Sequence, residues 1–375
     1  MTALPPPDLL ASRSIRGRVA NAWLSAGFED KAWDDYLRGT PLGQFQQSSM
    51  WAQSKRGEGW QCSRVRLEQE GVIVGGFQIV WRTTRFGKVG YVNKGPVLTT
   101  EWTEWRNFAL DLLLRTARHH RLAALIAQPP DHDSCLVEEL ENRGFAPNRL
   151  LGVIDATLWV DLSGPPGAWE AAMRGRRRTE IRKAMRLGIT VYEGGEADIP
   201  VFFDLMLSSC QRQGVSPSPS TLEAATQLVR AFGRQGESRL AFAVYQGEMV
   251  AAVLDLKFGK RYTTWKKGWN GRHSGKHPNV LLTHHSLRHA YEQGCDCFDF
   301  AGVGRSFAQA LLAGQPLSPA QQDHYDSFKL GFGGLPRLLA PAMIYCRNPF
   351  LRLACRLIST QPALAGWLRS LTAKG

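Results

Sequence analysis

The sequence predicts an α/β (α+β) protein of two tandem units with mixed, largely antiparallel sheets. Two observations carry this. An order of elements (strand, turn, strand, turn, strand, loop, helix, strand) occurs twice along the chain, and 375 residues is the length of about two ordinary domains. The composition, 43% hydrophobic and 21% charged, is that of a folded core under a polar surface.

Residues 1–20 read as a loose leader, with prolines where a signal peptide needs an apolar run. Ala32 to Leu37 reads as a short helix. In the stretch Gln47-Ser48-Ser49-Met50-Trp51-Ala52-Gln53-Ser54-Lys55, Trp51 and Lys55 are four apart and share a helix face, which Gly57 and Gly59 end. Ser63–Leu67, Val72–Trp81 and Val89–Val92 read as strands, joined by Gln69-Glu70-Gly71 and Arg85-Phe86-Gly87-Lys88. Lys94-Gly95-Pro96 breaks the sheet. Trp105, Phe108, Ala109, Leu112 and Leu113 recur at helical spacing, Leu122–Ala127 is a buried strand, and Ser134–Asn142 a short helix.

The order returns with the strands Leu240–Tyr245, Met249–Phe258 and Tyr262–Lys266, an apolar helix Val280–Glu292, and the strand Cys297–Phe300. Each unit is thus expected to be an antiparallel meander ending in a parallel pairing. Expected boundaries are residues 1–155, then 156–335, then 336–375 as a returning strand with amphipathic helices. Between the units, Trp169 to Gly188 reads as one helix with Arg174, Arg178, Arg182 and Arg186 as a basic stripe, backed by Ile181, Ala184 and Met185. Such a stripe is either a solvated face or docking seam, or a clamp for phosphates, because guanidinium forks match phosphate oxygens. A further apolar helix, Ile199–Gln211, follows. Near the C-terminus, two basic amphipathic segments carry Phe350, Leu351, Leu353, Leu357 and Ile358, then Leu364, Trp367, Leu368 and Leu371. They either dock on their own domain or lie on an anionic membrane.

A net charge of +13 and a pI near 9.6 favour anionic partners without choosing among them. The seven cysteines form no paired CxxC clusters, which excludes the usual zinc frameworks and points to reduced thiols in a cytoplasmic protein. No stretch reaches the roughly 20 apolar residues of a membrane span. His284, His285 and His289 share a helix but lack the glutamate of an HExxH frame, so no metal is expected. The segment Phe328-Lys329-Leu330-Gly331-Phe332-Gly333-Gly334 places one lysine between aromatics beside glycines. It is either a surface lysine or one held in a pocket, where its ammonium stabilises charge developing on a substrate oxygen.

Four patches together resemble the FemAB-like peptidyltransferases, proteins of tandem acetyltransferase-type (GNAT) fold. They are Gln47 to Lys55 with Gly59-Trp60; Tyr91-Val92-Asn93-Lys94-Gly95-Pro96; Ala184-Met185-Arg186-Leu187-Gly188; and Phe298-Asp299-Phe300-Ala301-Gly302 with Phe328-Lys329 and Phe332-Gly333. They span residues 44–334. The resemblance implies two GNAT-like domains and transfer of an amino acid from aminoacyl-tRNA to an amine of a phosphate-bearing envelope precursor. It implies that Lys329 lies near the reacting carbonyl and that the carbonyl of Phe328 orients the attacking amine. It implies that Lys55, Arg182 and Arg212 meet the precursor's phosphates, and it puts Trp51 and Trp265 at the substrate.

The chain departs from the best-known members in having no heptad arm in the second domain, which leaves the tRNA donor open. The loop Arg272-His273-Ser274-Gly275-Lys276-His277 stands where acetyltransferases bind coenzyme A. His277 there would crowd a pyrophosphate, which counts against acetyl-CoA. The expected function is therefore acyl or aminoacyl transfer onto an amine of a cell-envelope (peptidoglycan or polysaccharide) precursor, without a cofactor, at the inner face of the membrane. An acyl-CoA-dependent N-acyltransferase and a non-catalytic nucleic-acid or lipid binder are the alternatives. Asp326, Asp299 and Asp255 are the candidate bases.

Overall fold

The computed structural model describes residues 8–360 apart from positions 86, 100–102, 132, 134 and 149–152. The segment from Leu364 to Leu371, expected to be amphipathic, lies outside the described residues. Residues 1–153 with 339–375 form one compact unit and residues 154–338 a second.

The first unit opens with a hairpin, β1 (Asp8–Ile15) and β2 (Arg18–Ser25), whose second strand pairs with β3 (Gln61–Gln69). For residues 8–20 this corrects the reading of residues 1–20 as a loose leader; residues 1–7 lie outside the described residues. Arg16 and Gly17 both take positive φ, as a tight two-residue turn requires. In β2, Val19 faces outward while Ala20 and Ala22 are fully buried, the alternation of a half-buried strand.

Between β2 and β3, α1 (Lys31–Gly39) is capped by Asp30, and α2 (Ser49–Lys55) by Ser48. The glutamine-serine run before α2 fastens it to the sheet. Gln47 accepts from the Gln78 N–H at 2.7 Å and donates to the Asn93 carbonyl at 2.7 Å, while Ser49 donates to buried Asp34. β4 (Val72–Thr84) and β5 (Gly87–Asn93) complete the meander, and β6 (Val97–Leu98) folds back on β4. Helix α3 (Thr103–His119) buries Trp105, Phe108 and Leu113 and leads to β7 (Ala124–Gln128), parallel to β5. α4 (Cys135–Asn142) and β8 (Ala146–Pro147) follow.

The second unit repeats the pattern. β9 (Ala156–Asp161), α5 (Ala168–Ala172), α6 (Gly175–Arg186), β10 (Thr190–Gly194), α7 (Ile199–Gln213) and α8 (Leu222–Gly233) precede its meander of β11 (Ser238–Tyr245), β12 (Glu248–Phe258) and β13 (Arg261–Trp269). Helix α9 (Pro278–Glu292) then leads to β14 (Cys297–Asp299), parallel to β13. α10 (Arg305–Leu312), α11 (Pro319–Asp323), α12 (Tyr325–Leu330) and β15 (Leu335–Leu338) close it, with strand order β10-β11-β12-β13-β14-β9-β15.

The chain then re-enters the first sheet. β16 (Met343–Cys346) lies between β7 and β8, antiparallel to both, and α13 (Pro349–Thr360) follows. Residues 339–360 therefore belong with the first unit. Helix α13 turns Phe350, Leu351, Leu353 and Leu357 to solvent.

The expected single basic helix is two. Met173 is extended, and α6 begins only at Gly175, so Arg174 lies outside it. Arg178 turns back to donate to the carbonyls of Ala171 and Met173 at 2.9 and 2.6 Å, supplying the partners that the end of α5 lacks. Ile181 and Ala184 are buried as expected, but Met185 is half exposed.

Candidate active site

The second unit encloses a cavity of about 860 Å³ formed by α6, the end of α7, β13, the start of α9, the segment after β14, and α12. Its lining carries Arg176, Arg177, Arg212, Lys266, Lys267 and Lys329 against a single carboxylate, Glu180. Such a cavity attracts and orients anionic groups. A smaller recess in the first unit, about 350 Å³, is lined by Glu58, Gln61, Trp81 and Arg82 and brings no lysine or histidine.

Lys329 sits on α12, and the helix places it. His324 caps the helix by accepting the N–H of Asp326. The Lys329 side chain is buried, its ammonium donating to the carbonyl of Gly302, 3.8 Å from Asp326 and 4.9 Å from the Tyr325 ring centre. Gly302, at φ 115°, holds that carbonyl in a conformation that L side chains rarely adopt. Burial lowers the Lys329 pKa from its ordinary value, while Asp326 and Asp299 oppose the shift.

Phe328 and Phe332, the aromatics that flank Lys329 in the sequence, serve another cation. Their rings enclose the guanidinium of Arg177 at 4.6 and 5.5 Å, and Tyr325 takes the place beside Lys329. Arg177 also bonds Glu180 and, at 3.4 Å, the carbonyl of Phe328. That carbonyl keeps a second lone pair for another donor. A side chain at Gly331 would meet Arg177 at 2.7 Å, so a larger residue there would shift the guanidinium from its place between the rings. Arg176, Arg177, Tyr325 and Phe328 also line a second cavity of about 760 Å³, and so stand as a partition between the two.

Lys267 is the group that sequence reasoning missed. β13 carries a bulge: Leu254 pairs with Lys266 and Asp255 with Thr264, leaving Trp265 over. The bulge lets Trp265, Lys266 and Lys267 all reach the cavity. The Lys267 ammonium lies deep among protein atoms while the side chain keeps some surface toward the cavity. It donates to Thr283 Oγ1 at 2.8 Å and stands 5.3 Å from the Phe328 ring centre. Burial pushes its pKa down to about 7, with Lys329 and Arg177 adding to the shift and Asp255 opposing it. The available signal was a lysine in a strand that is otherwise largely buried, a position lysine seldom takes without a role.

Of the other expected site residues, Trp265 and Arg212 line the cavity. Arg212 stacks on Trp269 at 5.0 Å and bonds that residue's carbonyl. Arg182 is exposed and lies outside the cavity, so Arg176 and Arg177 take the place expected for it. Trp51 and Lys55 belong to the first unit. Trp51 is buried against Phe45, and Lys55 lies over its ring at 4.9 Å and 3.2 Å from Glu58. None of the three candidate bases lines the cavity. Asp255 accepts from Arg239, Tyr262, Thr264 and Ser286. Asp299 accepts from Thr157 and the Ala301 N–H, and Asp326 from the Gly304 N–H.

Lys267 makes stability depend on pH. Unfolded, a lysine holds its proton to about pH 10.4; folded, this one releases it near 7. Below pH 7 both states are charged and the full cost of burying the charge applies. Between about 7 and 10 only the unfolded state binds the proton, so folding stability rises with pH. Lys267→Met removes this cost. Its stability advantage over the native chain, measured by urea unfolding, should narrow by up to about 4 kcal/mol from pH 6.5 to pH 10, at about 1.4 kcal/mol per pH unit.

A duplicated meander closed by a parallel strand, with a cationic cavity against the last meander strand of the second copy, defines a tandem protein of acetyltransferase (GNAT) fold. Residues 28–148 match the model of the FemAB family, and residues 171–308 that of an acetyltransferase (GNAT) domain. The first unit is thus similar to the FemAB family and the second to a GNAT domain. It is 21% identical over 289 residues to a UDP-N-acetylmuramoylpentapeptide-lysine N(6)-alanyltransferase of Weissella viridescens, covering 72% of this chain and 83% of that one. It is 22% identical over 195 residues to a lipid II:glycine glycyltransferase of Staphylococcus aureus (strain MRSA252), covering 48% and 46%. The crystal structure of FemX shares the fold with a TM-score of 0.71 at 16% identity, over 88% of this chain and 99% of that one. A tandem GNAT protein from the clavulanic acid biosynthesis pathway gives 0.54 at 13%, over 88% and 99%.

Proposed function

We propose that this protein is an aminoacyltransferase that moves an aminoacyl group from an ester donor, aminoacyl-tRNA, onto an amine of a peptidoglycan precursor. The observation that carries this is the buried Lys329 ammonium, donating to the Gly302 carbonyl at a cationic cavity, in a chain similar to an alanyltransferase over most of both lengths. In this reading the amine attacks the ester carbonyl, and Lys329 stabilises the charge that grows on its oxygen. The Phe328 carbonyl accepts an N–H of the amine. Arg212 and Arg176 meet phosphates, and Trp265 shapes the surroundings of the substrate. No cofactor takes part. His277, at the N-terminal cap of α9 and on the cavity lining, supports an ester donor over coenzyme A, whose pyrophosphate needs close backbone approach.

Incubation of the chain with alanyl-tRNA and UDP-N-acetylmuramoyl-pentapeptide should yield the alanylated precursor, and acetyl-CoA should yield none. Transfer from acetyl-CoA alone would overturn the choice of donor. The reading also places the protein at the inner face of the membrane, where α13 would lay Phe350, Leu353 and Leu357 into the lipid, with Arg347 and Arg356 near anionic headgroups. Among the described residues no helix is long and apolar enough to cross a membrane. Vesicles rich in phosphatidylglycerol should sediment the protein, and Leu353→Glu with Leu357→Glu should release it. Equal sedimentation of the double variant would remove α13 from this role.

A further inference from the structure

The transfer proposed above leaves one chemical task without an owner. An amine that is an ammonium at neutral pH must lose a proton before it can attack. Among the described residues lining the cavity the only carboxylate is Glu180, and both Arg176 and Arg177 hold it. Asp255, Asp299 and Asp326 lie off the lining with their oxygens engaged. Besides Lys329, which polarises the carbonyl, the nitrogen bases on the lining are Lys266, whose ammonium lies over the Trp265 ring at 5.4 Å, Lys267 and His277. His277 caps α9, in the field of Glu180, Lys183, Arg177 and Arg176. Lys267 stands by the Phe328 ring and feels the charge of Lys329.

We propose that Lys267 is the proton acceptor of the transfer, taking the proton from the attacking ammonium beside the carbonyl that Lys329 polarises. The hydrogen bonding fits a neutral amine. Thr283 Oγ1 donates its own hydrogen to the Asn279 carbonyl at 2.7 Å, so at Lys267 it can only accept. A neutral Lys267 donates one N–H there and keeps its lone pair for the cavity. The groups facing it are Lys329 from α12, Arg177 from α6, Thr283 from α9 and Asp255 from β12. Three of these favour the neutral form or allow it, and only Asp255 favours the charged form. Burial with cationic neighbours is a known way to prepare a lysine for base work near neutral pH.

The step balances. Lys267 takes one proton from R–NH₃⁺, and the freed nitrogen bonds to the ester carbonyl carbon. As the C–O bond breaks, a second N–H proton passes to the leaving oxygen, which departs as a hydroxyl. Lys267 then returns its proton to solvent.

This inference rests on the aminoacyl-transfer reading, so its test has two arms. In the first, single-turnover transfer from alanyl-tRNA to UDP-N-acetylmuramoyl-pentapeptide is followed from pH 5.5 to 9. The native chain should rise about tenfold per pH unit and level off near pH 7. Lys267→Met should be about 100- to 10,000-fold slower at pH 7.5 and climb without levelling. Lys267→Arg should be as slow, because arginine keeps its proton. The levelling near pH 7 should persist in His277→Gln. A fast Arg variant, levelling retained in the Met variant, or levelling that disappears with His277 would each overturn the proposal.

In the second arm, competitive amine labelling of the native chain, read by mass spectrometry, should find Lys267 half protonated near pH 7. A value near 10 overturns the proposal whatever the transfer assay gives. If labelling gives 7 but the native chain transfers nothing from alanyl-tRNA, the functional reading fails and the catalytic role goes with it, while the titration stands.

Discussion

Lys329→Met should reduce turnover of the native substrates by about 100- to 1,000-fold while leaving the fold intact. The methionine stem fills most of the lysine's volume, so the packing against Tyr325 is kept. The groups left behind are not stranded: Asp326 still accepts the Gly304 N–H at 2.9 Å, and the loss at Gly302 is one carbonyl partner. What disappears is a desolvated positive charge, and removal of one such donor from an oxyanion site costs that factor. Because the charge acts in the transition state, kcat and kcat/KM should fall together. Lys329→Arg should fail as well, since the planar guanidinium cannot replace a compact ammonium at the Gly302 carbonyl. Rapid-quench kinetics with circular dichroism as a folding control would check both. Normal turnover in the Met variant would return Lys329 to a structural role.

Asp255→Ala should destabilise the second unit by about 3 to 5 kcal/mol. Asp255 is fully buried and bonds Arg239 at 3.0 Å, Ser286 at 2.7 Å, Tyr262 at 3.2 Å and Thr264 at 3.0 Å. Removing one member of a buried pair leaves the other charge uncompensated, which costs more than the pair contributes. Arg239 would keep Ser286 and the outer partners Glu193 and His285, with one carboxylate fewer to balance its charge. The same change removes the one acidic influence on Lys267, so the Lys267 pKa should fall further. Urea unfolding followed by tryptophan fluorescence checks the first effect, and amine labelling the second. An unchanged midpoint would mean that water or Glu193 compensates Arg239.

Much of the architecture was legible because period and punctuation are local. The meander strands, the apolar helices α3 and α9 and the glycine turns were read within a few residues of their ends. The hairpin β1–β2 was missed because prolines at positions 5–7 outweighed a short alternation. The break between α5 and α6 was missed because four arginines spaced by four look like one helix; the loop between those helices depends on Arg178 reaching back to carbonyls.

The site was legible in part. Lys329, Phe328, Arg212 and Trp265 were found through a resemblance in motif, and all four line one cavity. Arg182 was misplaced because helical spacing gives a shared face but not which face meets the cavity. The three aspartates were plausible bases from the sequence, yet each is engaged by donors that only folding brings to it.

The sequence by itself determined the repeated order of elements, the net positive charge and the lysine flanked by aromatics, because these depend on neighbours along the chain. Only the tertiary structure decided which charges face one another. Lys267 and Lys329 are 62 positions apart in sequence, and the parallel pairing of β13 with β14 brings their segments to one cavity. The cost of burying an ammonium depends on everything around it in space, so a lysine prepared to take a proton could not be read from the residues beside it.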